Sequence, residues 1–190
     1  MLNFRRFIEI VISLQLIIIS TFIPVFILIP FSNQPFNIFE IPISWQVPLI
    51  IIITLIFKRN VVTIAFSIYL LIGLFLLPVF QNGGSIGYLL TPNFGFLLGI
   101  YPLIFFIDKL NNQKIIDYYY FIRYGIQGIL CMHIIGIVYN YIQLLFFNKP
   151  DILIYNISKF SLGKIGFHFL MLAPISILIK IINKNYKHRN

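Results

Sequence analysis

The chain is written in long apolar runs separated by short polar gaps. Phe7 to Ile29 is apolar almost throughout, and so are Val47 to Phe57, Val61 to Leu77 with an extension to Phe80, Phe94 to Ile107, Tyr118 to Phe147 and Ile165 to Ile182. A bilayer core about 30 Å thick takes about 20 apolar residues per helix, within roughly 17 to 25. The first and third runs meet that length and the last meets it narrowly. Tyr118 to Phe147 is long enough to tilt or protrude. Val47 to Phe57 and Phe94 to Ile107 are short for a full crossing, and short helices beside irregular backbone are tolerated at membrane depth where protein or a cavity surrounds them. The pattern predicts an all-α, polytopic membrane protein of six transmembrane helices with inserted outer loops, forming one domain over residues 1–190.

Composition points the same way. Hydrophobic residues make up 59% of the chain and charged residues 10%, against roughly 25% charged in an ordinary soluble domain. Fourteen basic and five acidic residues cannot cover a water-facing surface of this size. The formal charge of +9 does not imply nucleic acid, because the basic residues flank the apolar runs, where they meet lipid head groups. With the N-terminus inside, Arg5, Arg6, Lys58, Arg59, Lys109, Lys114, Lys180, Lys184, Lys187 and Arg189 fall on the cytoplasmic side, with Arg123 close by, while Lys149, Lys159 and Lys164 fall outside. Excess Lys and Arg on inner loops therefore predicts a multi-pass protein of the cell membrane with both termini cytoplasmic. Arg5-Arg6 ahead of an apolar run resembles a secretory signal, but the run is long and no Ala-x-Ala-like site follows. Cys131 is the single cysteine, so no internal disulfide or thiolate cluster is expected.

Candidate chemistry concentrates in the gaps. Leu77 to Tyr88 breaks two apolar spans with Gln81, Asn82, Gly83, Gly84 and Gly87 and no charge. Glycines let backbone N–H groups approach a ligand, and successive N–H groups form anion-binding nests; an ordinary turn is the plainer reading. Thr91 to Gly99 opens a helix with Pro92 and Asn93. Its Gly95 and Gly99 have the small-xxx-small spacing of close helix packing, while Asn93 is a cavity candidate. Trp45 and Gln46 stand at the start of the second apolar run, where Trp commonly anchors at the interface. In the fifth run His133, Gly136, Tyr139 and Asn140 share one helical face, and polar residues inside a span are functional candidates. His168 is a weaker candidate, and His188 reads as a solvated tail residue. There is no HExxH, Walker loop, carboxylate pair within one span or local nucleophile motif, so neither an enzyme nor a cofactor is predicted.

Three of these segments resemble the BioY family in order and spacing. The family typically shows Pro-Val-Pro-Ile-x-x-Gln in its first outer loop, and Pro42-Ile43 with Gln46 match it. Gly-Leu-Pro-Val-Phe followed by glycines is matched by Leu77-Pro78-Val79-Phe80 leading to Gly83, Gly84 and Gly87. Gly-Pro-x-Gly-Gly-Phe/Tyr-Leu-x-Gly is matched by Pro92, Gly95, Phe96, Leu97 and Gly99, and Gly136 with Tyr139 fits Gly-x-x-Trp. The resemblance implies a biotin-binding substrate-capture component of an energy-coupling factor transporter. Such a protein pairs with a transmembrane coupling subunit and ATP-hydrolysing subunits and hydrolyses nothing itself. It implies that Gln46, Asn82 and Asn93 complement the ureido ring, that Phe80, Tyr88 and Phe96 form an apolar wall, and that backbone N–H groups near Gly83 and Gly84 meet the carboxylate; Gly87, His133 and Tyr139 complete the set of ligand-binding candidates. The family's last helix carries Pro-Gly-Asp-x-x-Lys, whereas Pro174 to Lys180 here lacks the aspartate and has the lysine one position late, a rotation of about 100° on a helix. Phe94 also replaces a glycine. Those departures leave two alternatives: capture of another small vitamin or precursor, and a structural or assembly protein whose cavity is filled.

Overall fold

The structure, a computed structural model, describes residues 4–29, 37–81, 83–112 and 115–187; Asn82, Lys114, His188 and Arg189, named above, lie outside them. Helices α1 (Phe4–Phe22), α2 (Gln46–Ile56), α3 (Arg59–Phe75), α4 (Pro92–Leu98), α5 (Ile100–Asp108), α6 (Tyr118–Phe146), α7 (Leu153–Ile157) and α8 (Gly163–Lys187) pack into a bundle, with one antiparallel hairpin of β1 (Pro24–Ile29) and β2 (Asn37–Ser44). Within the bundle α6 lies against α4, α5 and α8, α1 lies against α3 and α2, and α2 also touches α5 and α8.

The first apolar run does not stay helical to Ile29, as its hydropathy suggested. Pro24 has no N–H for the helix ladder and forces the preceding residue toward extended backbone, so α1 stops at Phe22 and the run continues as β1. Val25 pairs with Ile41 and Pro24 with Ser44. The irregularity between those pairs takes up Pro42 and Ile43, a bulge being one of the few places a strand accepts proline. The Trp45 N–H then donates to the Ile23 carbonyl at 3.2 Å, which brings the end of β2 and the start of α2 over the bundle.

Two other spans differ from their expected limits. Phe94 to Ile107 belongs to a longer rod, α4 and α5 joined at Gly99, which with the 3₁₀ turn Lys109–Asn112 gives an apolar stretch over Pro92–Asn111. The last span starts well before Ile165. A 3₁₀ turn at Pro150–Ile152, α7, a π-helical turn at Ser158–Leu162 and α8 follow without a break, because Pro150 occupies a first-turn position and no glycine or proline interrupts the chain until Gly163. Pro92–Asn111, Tyr118–Phe146 and Pro150–Ile179 are long and apolar enough to cross a membrane; Gln46–Ile56 and Arg59–Phe75 are shorter apolar helices.

On α6 the outward face is bulky and much of the inward face is small. Ile126, Leu130, Ile134, Val138 and Ile142 form an exposed stripe on α6, while Gly125, Gly128, Met132, Gly136 and Asn140 are buried. That inversion suits helices whose outer solvent is as apolar as their core. At the turn between α5 and α6, the Asn183 amide brackets Ile116: it accepts from the Ile116 N–H at 3.0 Å and donates to the Ile116 carbonyl at 2.9 Å.

At Gly99 the α4–α5 rod lies against the backbone of α6, since a Cβ there would stand 2.5 Å from the Met132 carbonyl oxygen and 2.7 Å from Met132 Cα. Backbone cannot step aside as a flexible side chain can. Gly99→Ala is therefore expected to destabilise the protein by about 1–3 kcal/mol, read as a lower thermal unfolding midpoint in detergent. Gly166→Ala, where a Cβ meets nothing within 4 Å, should hold or raise the midpoint.

Candidate functional site

A cavity of about 70 Å³ opens beneath the hairpin base and the loop that follows α3, with room for several water molecules. Its apolar lining comes from Val47 on α2, Phe96 and Leu97 on α4, Ile100 on α5, Met132 on α6 and Phe160 in the π turn. Ser44, Gln46, Tyr69, Gln81, Tyr88, Asn93, His133, Lys164 and His168 add polar groups. Concave, mostly apolar walls with a few convergent polar groups are the usual form of a small-molecule site.

The loop between α3 and α4 folds over this space through its aromatic residues. Phe80 is fully buried against Gly73 of α3, where any side chain would collide with its ring. It stacks on Tyr88 with centroids 4.4 Å apart and meets Tyr69 edge-on at 5.3 Å. Gly83 has φ +102°, a conformation that L side chains rarely adopt, and a Cβ on Gly84 would stand 2.5 Å from the Gly73 carbonyl oxygen. These glycines let the loop close on the end of α3, and neither lines the cavity. From the other side, Tyr139 Oη donates to the Leu89 carbonyl at 2.6 Å and Gln143 Nε2 to the same oxygen at 3.1 Å, tying the loop to α6.

The polar lining falls into two groups. On one side, the Tyr69 hydroxyl is engaged by Thr21 at 3.2 Å and donates to the Val79 carbonyl at 3.4 Å. Burial pushes the Tyr88 phenol up to about 12, against the opposing hydrogen bond with Asn93, so it stays a neutral O–H. Gln46, 7% exposed, turns its amide toward the Tyr69 hydroxyl, but its Nε2 makes no well-aligned hydrogen bond among the described residues. On the other side, His133 of α6 shares its Nδ1 with Ser161 Oγ at 2.9 Å and its Nε2 with His168 Nδ1 at 3.1 Å. Phe96 meets the His133 ring edge-on at 5.6 Å, an approach that Gly136 permits beneath it.

Of the residues singled out in the sequence, Gln46, Tyr88, Asn93, Phe96 and His133 come together on the cavity wall. Phe80 stands one layer behind, stacked on Tyr88, and Tyr139 anchors the loop without reaching the lining. Gly83, Gly84 and Gly87 belong to the loop backbone away from the lining. Asn82 is outside the described residues. Tyr69, Lys164 and the π turn join the cavity without having stood among the sequence candidates, and His168 was the weaker histidine among them. The spacing Lys164 to His168, one α-helical turn apart beside Gly163 and Gly166, was the available signal. Trp45 lies edge-on to Phe167 at 6.4 Å and is partly exposed.

The family profile described as the BioY family matches residues 2–182. The chain belongs to the BioY family. A probable biotin transporter BioY from Lysinibacillus sphaericus is 35% identical over 81 residues, which span 40% of this chain and 40% of that protein. A crystal structure of the S-component for biotin from an ECF-type ABC transporter superimposes with a TM-score of 0.62 at 22% identity, covering 93% of this chain and 91% of that one. The fold of the two is the same, and this BioY-family chain is a membrane protein. Its last helix reaches the cavity with Lys164 and His168, whereas none of residues 174–179 lines it.

An unpaired amide donor in so buried a position costs stability. Replacing Gln46 with the similarly shaped Met should raise folding stability by about 1 kcal/mol, while Tyr139→Phe, which breaks the bond to Leu89, should lower it by about 1 kcal/mol. Parallel thermal unfolding of the two purified variants checks both signs; a Gln46→Met protein less stable than the parent would mean that the amide is bonded after all.

Proposed function

We propose that this chain is the biotin-capturing component of an energy-coupling factor uptake transporter: a single transmembrane domain that crosses the cell membrane six times with both termini in the cytoplasm. The observation that carries the reading is Gln46, a buried amide with a donor left over, facing a cavity of mixed polar and apolar lining closed from one end by an aromatic loop. A cyclic urea offers two N–H donors and one carbonyl acceptor. Gln46 Nε2 suits that acceptor, and the Asn93 amide and Tyr88 hydroxyl are the neighbouring groups able to orient the ring. Leaving a buried site donor unmatched is what lets such a pocket reject analogues that lack the partner group.

A guest with a fused ring and a side chain needs more than the present 70 Å³, so the exposed rim side chain Gln81 moves outward on binding. Family membership and the named relatives together support capture of the ligand, and with both termini inside, the cavity would open to the exterior. Delivery inward would require a transmembrane coupling subunit and ATP-hydrolysing subunits, since the sequence carries no Walker loop. One observation favours a second reading, capture of a related small vitamin or precursor: no carboxylate lines the cavity among the described residues.

Isothermal titration of the detergent-purified protein separates these readings. Saturable one-to-one binding of biotin is expected, weakened about tenfold or more in Gln46→Ala and unchanged in Cys131→Ser. Absence of saturable binding to both biotin and desthiobiotin would overturn the biotin assignment.

A further inference from the structure

Among the described residues Lys164 has no salt-bridge partner. It lines the cavity at the first turn of α8, its Nζ 5.6 Å from the Phe160 ring centroid. Among the described residues the ion pair is Arg5 with Glu9, far along the chain on α1. Asp108 is bonded to the Arg59 N–H and Asn111, and Asp117 caps α6 through the Tyr119 N–H; both belong to the opposite end of α6 from the cavity's outer loop. A lysine within an apolar span that forms no salt bridge among the described residues is costly, and such residues mark ligand paths.

One α-helical turn further on, His168 shares the Lys164 face of α8 and lines the same cavity. It is 5% exposed, and its Nδ1 is taken by His133. That leaves Nε2 as the ring nitrogen without a hydrogen bond among the described residues. Ser161, His133 and His168 are all buried and hydrogen-bonded in series. Such a series has two settings. If Ser161 donates to His133 Nδ1, then His133 Nε2–H donates to His168 Nδ1, and His168 must carry its proton on Nε2, as a donor. The reverse setting leaves His168 Nε2 bare, as an acceptor.

We propose that Lys164 and His168 form a carboxylate seat in the cavity, with Ser161 and His133 as positioning residues that hold His168 in the Nε2–H form, so that the ligand is taken as a monoanion with an apolar body. The ligand's identity rests on the biotin reading above; the chemistry of the seat does not. The carboxylate receives a charge-assisted bond from the Lys164 ammonium and a second bond from His168 Nε2–H. The unpaired Gln46 amide and the Tyr88 and Asn93 side chains are left for the neutral polar group of the same ligand. The π turn at Ser158–Leu162 is part of the device: its extra residue per turn sets Ser161 against α6 while Lys164 and His168 follow on the cavity face. Turns of this kind occur frequently at functional sites.

The test is discrimination between acid and amide. Affinities of biotin and biotinamide are measured by titration calorimetry for the parent protein, Lys164→Met, Lys164→Arg and Ser161→Ala, with hexanoate and hexanamide as simpler probes read by thermal shift. The parent should bind biotin about 10- to 100-fold tighter than biotinamide. Lys164→Met should lose that preference while keeping the biotinamide affinity, Lys164→Arg should retain most of it, and Ser161→Ala should reduce it about threefold. Hexanoate should stabilise the parent but not Lys164→Met, and hexanamide should stabilise neither. Equal binding of acid and amide by the parent, or a Lys164→Met variant that loses both equally while remaining monodisperse, overturns the seat. Stabilisation by hexanoate that depends on Lys164, with no binding of biotin, keeps the seat and overturns the biotin reading.

Discussion

The closeness of α6 to the α4–α5 rod is the constraint on which the rest depends. Gly95 receives the Tyr139 side chain, Gly99 lies on the backbone of Met132, Gly128 takes Leu103, and Gly136 takes Phe96. In lipid no solvent difference drives helices together, and association rests on van der Waals contact between surfaces that small residues allow to meet. This seam sets Asn93 and Phe96 on one helix beside Met132 and His133 on the other, which makes a wall of the cavity. A bulky residue at any of these glycines would separate the two helices and dissolve the site along with the packing.

Above that seam, an uncharged loop is held down from two directions. Phe80 enters the gap at Gly73 and stacks with Tyr69 and Tyr88, while Tyr139 and Gln143 hold the Leu89 carbonyl. The contacts are aromatic and apolar on the α3 side and hydrogen-bonded on the α6 side. Tyr139 belongs to both systems, since its ring packs on Gly95 and its hydroxyl holds the loop. The loop's position is thus coupled to the helix seam beneath it.

Polar groups inside this bundle are nearly all matched. Ser13, Ser20, Thr21 and Thr54 return their hydroxyls to carbonyls of their own helices, Asn140 accepts from Asn156 at 3.2 Å, and Tyr69 has Thr21. Buried groups are expected to be satisfied. Among the described residues, Gln46 Nε2 is a buried side-chain atom without a well-aligned hydrogen bond and Lys164 forms no salt bridge, and both belong to the same cavity. The functional reading starts from that coincidence, because two unrelated packing defects have no reason to coincide.

Much of the fold was legible in the order of residues. Apolar run lengths located α2, α3 and α6 to within a few residues, since those helices are bounded by polar residues or glycine-rich gaps, and the spacing of Gly95 and Gly99 announced close packing. Hydropathy could not tell that Pro24 turns the first run into a strand, because Val, Phe, Ile and Leu suit a strand as well as a membrane helix. Nor could it tell that the chain from Pro150 onward is already helical. For the site, the loop motif and the polar face of α6 pointed to Gln46, Tyr88, Asn93, Phe96 and His133 as single residues. Their convergence, the unpaired state of Gln46, and the meeting of His133 with Ser161, His168 and Lys164 join segments 28 and 35 positions apart. Local sequence fixes which backbone groups a residue can use, but whether a donor finds an acceptor across the bundle depends on how the helices pack, and only the tertiary structure decides that.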